Sequence, residues 1–322
     1  TARSSISSDL SRFAPRRIPA VSTIWTCLFF HSHGTDMASR VRPGISPAKT
    51  KNAKSNNNLL RAGLPNWLLH RLDERCRNAI EDNEFSRGWK KIGQDLPKPR
   101  AILCISAHWE TRGTFVTAMP KPKTIHDFGG FPQALFDVQY LAPGSPSIAL
   151  ETKQAIHSTE VGLDEQWGLD HGAWSVIKHI YPKADVPVLQ LSLDYTKAPQ
   201  YHYELAKEIA KLRDKGVLIV GSGNIVHNLR RLAWDKINLP EYGYDWALEA
   251  NAMLKKMVVN QDHKSLINYQ SLGSAVQLSA PSPDHYLPLL YTVGTQQVQE
   301  QVSVFNDKTV LGAISMTSFK IS

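Results

Sequence analysis

Three short runs of consecutive apolar residues mark strands buried on both faces. Ala101-Ile102-Leu103-Cys104-Ile105-Ser106, Val186-Pro187-Val188-Leu189-Gln190-Leu191 and Val217-Leu218-Ile219-Val220 lack the in-and-out alternation of a half-exposed strand. Between the last two, Leu205, Ile209 and Leu212 fall at i, i+4 and i+7, and Gly216 suits the position just past a helix end. That pattern predicts a helix over about Ala198–Lys215. Strand, helix, strand makes a unit that closes right-handed into a parallel sheet. A second helix is expected near Asp245–Val259 and a last strand near Val310–Phe319. Earlier in the chain, Ile24–Phe30 reads as another strand of the same sheet, and Trp67–Arg77 as a short helix. The fold class is α/β, a single domain with a central, mostly parallel sheet flanked by helices.

Polar patterning sets the boundaries. Residues 1–20 are rich in Ser and Arg and read as a disordered N-terminal tail or the remnant of an import peptide. The catalytic domain is expected over 21–322. A basic insert at about 38–77 contains Lys49, Lys51, Lys54 and the triplet Asn56-Asn57-Asn58, too few apolar residues to offset chain entropy. No stretch approaches 18 consecutive apolar residues, so no transmembrane helix is expected.

The formal net charge of +8 suggests a nucleic-acid binder until it is located. Thirteen of the 37 basic residues but only four of the 29 acidic residues lie in 1–77. The remaining 245 residues are therefore close to neutral, and no basic groove across the folded domain is indicated. Three cysteines, Cys27, Cys76 and Cys104, cannot form a disulfide framework and fit a reducing compartment. The expected location is cytoplasmic, with mitochondrial import through residues 1–20 as the other reading.

Ligands of open α/β sheets bind beyond the carboxyl ends of the strands, so the residues that follow each strand carry the chemistry. Ser106-Ala107-His108-Trp109 follows the first apolar run, and Gly221-Ser222-Gly223-Asn224-Ile225-Val226-His227 follows the third. His31-Ser32-His33-Gly34 follows Ile24–Phe30. Three strands thus deliver a histidine to one sheet edge, and neutral imidazole is the commonest side-chain metal ligand. The small residues beside them leave room for a ligand to approach the backbone. Trp167-Gly168-Leu169-Asp170-His171-Gly172-Ala173-Trp174 reads either as part of a site or as a helix capped by Asp170. Pro283-Asp284-His285-Tyr286 reads either as a ligand-bearing turn or as a plain helix start. Thr124-Ile125-His126-Asp127-Phe128-Gly129-Gly130-Phe131-Pro132 reads as the lining of an aromatic pocket or as a structural loop. There is no GxGxxG after a strand, no GxxxxGK[ST], no GxSxG and no HExxH, which removes the common nucleotide-phosphate, serine-hydrolase and zincin readings.

Together these segments resemble the class III extradiol ring-cleavage dioxygenases of the LigB type, in the branch of the 4,5-DOPA extradiol dioxygenases. The matching stretches are Asn78–Asn83, Ile105–Trp109, Thr124–Pro132, Tyr140–Pro146, Gly168–Trp174, Gly221–Arg230 and Pro283–Tyr291, in family order. The resemblance covers about residues 78–320. It implies a mononuclear metal held by His108, His285 and a histidine at the end of the first strand, with His227 as a further ligand or the catalytic acid/base. His171 is implied as a second pocket histidine that contacts substrate or moves protons. His126, Phe128, Trp109 and Trp174 are the expected substrate-binding residues. The departure is N-terminal, where about 40 extra residues separate His33 from Asn78. Either His33 is the ligand and the insert loops out, or segment 31–77 is not the family's sequence; His31 and His70 are the other candidates.

The function so implied is metal-dependent extradiol cleavage of a catechol such as DOPA, with insertion of both atoms of O2. Fe(II) is the expected ion, and Zn(II) would suit the same donors. Two other readings stay open: a zinc-dependent hydrolase, and a degenerate metal-binding relative without activity. The expected partners are a catechol and O2, with no nucleic acid and no membrane; the oligomeric state is not legible.

Overall fold

The computed structural model describes residues 17–23, 79–129 and 131–322. The expected strand Ile24–Phe30, the expected helix Trp67–Arg77, the basic insert, and His31, His33 and His70 lie outside the described residues. In chain order the strands are β1 (Ala20–Thr23), β2 (Ala101–Ser106), β3 (Glu110–Thr111), β4 (Thr114–Thr117), β5 (Val161–Asp164), β6 (Val188–Gln190), β7 (Leu193–Asp194), β8 (Val217–Ser222), β9 (Val302–Phe305), β10 (Thr309–Val310), β11 (Ile314–Ser315) and β12 (Ser318–Ile321).

Six of them form the central sheet in the order β6-β2-β8-β1-β12-β9. The first four are mutually parallel, and β12 and β9 close one side antiparallel. Every residue of β2 and of β8 is buried, which is why both read as unbroken apolar runs. The helix Pro199–Asp214 leads into β8, buries Leu205, Ile209 and Leu212, and ends at Gly216 with φ +83°. It packs against Leu287–Gly294, and both lie on β8. The helix His171–Ile180 packs against β2 and β8, and Glu84–Asp95 packs against it in turn. The helix expected near 245–259 is Asp245–Val259.

Two expectations change. The described N-terminal strand is β1, at Ala20–Thr23, and the fold already includes residues grouped with the tail. Ile18 is buried and donates its backbone N–H to Arg213 O at 3.1 Å, and Ala20 pairs with both Ile219 and Ile321. Burial and a sheet ladder on both sides hold this segment in the domain. The single strand expected over Val310–Phe319 is three pieces, β10, β11 and β12. Leu311 (φ 53°) and Gly312 (φ 78°) both turn left-handed, and a strand cannot continue through two such residues.

Candidate metal centre at the sheet edge

The carboxyl ends of β2 and β8, neighbours in the sheet with Ser106 opposite Ser222, launch the two loops that carry the site. Ser106 Oγ receives the His108 backbone N–H at 3.2 Å and donates to Asp170 Oδ1 at 2.7 Å. Asp170 also caps the helix His171–Ile180 through Ala173 N, and accepts from Trp167 Nε1 at 3.3 Å. Asp170 therefore caps the helix and, through Ser106, ties it to the loop that carries His108. Gly172 is required here: a Cβ on it would stand 2.4 Å from Ser106 Oγ and 2.8 Å from the His108 ring.

On the β8 side, the small residues serve the backbone of another segment rather than an open cleft. A Cβ at Gly221 or Gly223 would strike Pro288 O at 2.3 Å or His285 O at 2.2 Å. This close approach lets Asn224 N–H donate to His285 O at 2.7 Å and brings the His285 turn onto the end of β8. His227 is fixed by its own N–H to Ser279 O at 2.7 Å.

Four imidazoles meet at this edge. His108 lies 3.9 Å from His171 and 5.2 Å from His285, ring centre to ring centre. His227 lies on His285 at 3.5 Å with the planes 8° apart. The side chains of His108 and His285 are 10% and 11% exposed, whereas that of His171 is fully covered. His227 is half-buried. Burial, and then the neighbouring His285, hold the His227 imidazole well below its ordinary pKa, so it stands neutral with a lone pair available.

The stacking of His227 on His285 limits what the pair can do. A metal–imidazole bond of about 2.0–2.1 Å lies in the ring plane. Two near-parallel planes 3.5 Å apart do not share a point at that distance, so one of these rings can ligate an ion in this arrangement and the other stands beside it. His285 has the better-defined donor. Its Nδ1 is 3.0 Å from Asn224 Oδ1, and Asn224 Nδ2 donates to Ser315 O at 3.0 Å. The amide is thereby oriented with its oxygen toward the ring, so His285 Nδ1 carries the hydrogen and Nε2 is left as the acceptor.

Asp127, not singled out in the sequence, joins the cluster. Its Oδ1 accepts the His171 backbone N–H at 2.9 Å and lies 2.8 Å from His171 Nδ1, and its Oδ2 lies 3.4 Å from His108 Nδ1. His108, Asp127 and His171 can each bring one ligand atom within 4.8 Å of the others. Burial acts to raise the Asp127 carboxyl, but the charge and hydrogen bonds of His171 outweigh it and hold the group below its ordinary value. Burial, with the Asp127 charge added to it, pushes Asp170 well above the carboxylate range. Imidazoles beside a carboxylate are a donor set suited to a divalent transition metal.

The aromatic expectations divide. Phe128 stands edge-on to His171 at 5.6 Å and is half-buried, so it remains beside the cluster. His126 belongs to the same loop but turns to Val138 O, with Nε2 2.9 Å away, and to Phe136 and Trp174. Trp174 has no exposed surface; its Nε1 donates to Ile125 O at 2.9 Å, which ties the loop to the helix His171–Ile180. Trp109 is buried against Trp167 at 5.8 Å. Both tryptophans are buried, Trp174 within the hydrophobic core and Trp109 stacked on half-buried Trp167.

Comparison with known proteins gives the family. Residues 71–312 match the family described as the catalytic LigB subunit of aromatic ring-opening dioxygenase. A protein of Escherichia coli K12 named 4,5-DOPA dioxygenase extradiol is 46% identical over 248 residues, covering 76% of this chain and 90% of its own length. One of the same name from Beta vulgaris is 34% identical, covering 76% and 92%. The crystal structure of an uncharacterized protein from Escherichia coli K12 superposes with a TM-score of 0.66 at 40% identity, covering 76% of this chain and 94% of that one. The chain belongs to the LigB family and is an oxidoreductase, a metal-dependent extradiol ring-opening dioxygenase.

Proposed function

We propose that the chain opens the ring of a catechol of the DOPA class with Fe(II) as its metal, and that His108 and His285 hold that metal together with an N-terminal histidine, for which His33 is the candidate. When bound, a redox-active divalent ion supplies the electron relay between a catechol and dioxygen that ring opening needs, a role redox-inert zinc does not fill. The relatives named for DOPA support the substrate class.

The observation that carries the assignment of roles is the His227–His285 stack. With Asn224 committing His285 Nε2 to the acceptor role, His285 is the ligand and His227 the free acid/base. Half-buried His227, beside the ligand, takes a catechol hydroxyl proton on a ring nitrogen and returns it when the ring opens. Phe128 gives the aromatic substrate a wall on the Asp127 side. His171, fully covered, acts within the cluster rather than on the substrate.

The test is anaerobic loading with Fe(II), addition of DOPA or another catechol, and admission of air. Consumption of one O2 per catechol with a yellow semialdehyde product is expected. Fe(II) bound tightly with no oxygen uptake across several catechols would contradict the reading.

A further inference from the structure

We propose that Ser315 is a positioning residue for both members of the stacked pair: its main chain braces Asn224 and the His227 loop, and its side chain is locked from behind by Asn251 and Thr317. This rests on the reading of His285 as the metal ligand and His227 as the acid/base.

Ser315 faces two ways. Toward the site, its carbonyl accepts from Asn224 Nδ2 at 3.0 Å, and Asn224 Oδ1 lies 3.0 Å from His285 Nδ1. Its N–H donates to Val226 O at 3.0 Å, and the Asn228 N–H donates to Ala313 O at 3.1 Å, so residues 313–315 hold the chain on both sides of His227. Away from the site, the Ser315 hydroxyl donates to Asn251 Oδ1 at 2.5 Å and accepts the Thr317 N–H at 3.1 Å. The Thr317 hydroxyl lies 2.8 Å from Asn251 Oδ1 and 2.9 Å from Asp307 Oδ1. Lys255 donates to the other Asp307 oxygen at 2.5 Å. A line of hydrogen bonds thus runs from a half-exposed ion pair to the backbone behind His285 and His227.

This stretch needs such a fastening. β11 is two residues long, pairs with the two residues of β10 and stands outside the central sheet. It follows directly on the left-handed turn at Leu311 and Gly312. A two-residue ladder is too short to fix a segment by itself. Ser315 and Thr317 have no exposed surface, and Asn251 is buried with them. Polar side chains in such a place cost stability unless each is bonded, and apolar ones of similar size would fill the same space. A fully bonded network instead admits one arrangement of the chain. Here that arrangement sets residues 313–315 against the helix Asp245–Val259, which carries Asn251 and Lys255.

The competing role is packing alone, and two substitutions at Thr317 separate them. Thr317→Val keeps the shape and removes the hydroxyl; Thr317→Ser keeps the hydroxyl and removes a buried methyl group. The Val protein is expected to bind Zn(II) about 10-fold more weakly, and after Fe(II) loading its kcat for oxygen uptake with a catechol is expected to fall about 10-fold at nearly constant KM. The Ser protein should stay near the parent in both. A folded Thr317→Val protein with the parent's Zn(II) affinity and kcat overturns the proposal. So does a Thr317→Ser protein as impaired as Thr317→Val. Amide hydrogen exchange of the metal-free proteins supplies a second readout. The Ser315 and Asn228 N–H groups should exchange faster in Thr317→Val than in the parent while those of β2 keep their rates; unchanged exchange at both overturns the proposal. If Thr317→Val does not fold, the parent decides: Ser315 and Asn228 amides as slow as those of β8 support the brace, and amides as fast as those of exposed loops overturn it. If the parent takes up no metal or no oxygen, the failure lies with the proposed function, and the exchange comparison still tests the brace.

Discussion

The two edges of the central sheet carry buried polar clusters of opposite kinds. At the edge where the parallel strands begin, Arg213 is fully buried and every arm is matched. It donates to Ile18 O at 2.8 Å, Thr295 O at 2.9 Å and both oxygens of Glu300 at 2.9 and 2.5 Å. Arg17 adds a second cation 3.7 Å from Glu300 and donates to Asp214 at 2.9 Å. At the edge where the strands end, imidazoles are crowded against one another, His227 on His285 and His108 on His171. One cluster pairs opposite charges through chain-spanning hydrogen bonds and ties the N-terminal strand to the C-terminal one. The other crowds imidazoles together, donors that a cation would unite. Burial of polar groups is common to both; the sign and geometry of their partners distinguish a fastening from a site.

That contrast breaks most visibly at Arg213. Arg213→Met leaves Glu300 buried, with Arg17 and the Gln297 N–H at 2.8 Å as remaining partners. A loss of about 3 kcal/mol in chemical denaturation is expected, with metal affinity of the folded protein unchanged. A weakened metal site in that variant would mean the two edges are coupled and the distinction is false.

A buried histidine outside the centre sharpens the point. His202 has no exposed surface and sits 3.1 Å from the Tyr291 hydroxyl. Burial lowers its pKa from 6.5 to about 4 against a smaller opposing pull from Asp194. The unfolded chain therefore takes up a proton near pH 6.5 that the folded chain refuses until about pH 4. Stability from this residue is present above that window and lost as pH falls through it, by about 3 kcal/mol at most. The stability of His202→Gln should fall less steeply over the same range; identical slopes would remove His202 from the account.

The smallest effect is expected at Trp174. Trp174→Phe keeps an aromatic ring but shrinks a fully buried side chain and deletes the hydrogen bond to Ile125 O. About 2 kcal/mol of stability should be lost, with a modest weakening of metal binding as the Asp127 loop loosens. Equilibrium unfolding and zinc competition, measured side by side, check both parts.

Much of this architecture is legible in the sequence because it is local. The runs Ala101–Ser106 and Val217–Val220 are strands because both faces are buried, and Leu205, Ile209 and Leu212 mark the covered stripe of a helix that stops at Gly216. His108 and His227 follow from their places just past strand ends. Asp127 is not legible in this way. It stands 19 residues from His108 and 44 from His171, and only the fold of the 124–129 loop, tied down by Leu169 and Trp174, brings the three together. Trp109 and Trp174 look like pocket aromatics in the sequence, and their burial in the fold is not legible there. The interruption at Leu311 and Gly312 hides inside an apolar run, because a Leu in the left-handed region leaves no local mark.

Metal content measured together with oxygen uptake separates the two roles within the stacked His227–His285 pair. His285→Gln should lose its tightly bound Fe(II) and its oxygen uptake together. His227→Gln should retain one Fe(II) per chain while oxygen uptake with a catechol falls by about 10²–10⁴-fold. Loss of the metal from His227→Gln, or its retention in His285→Gln, would contradict the claim.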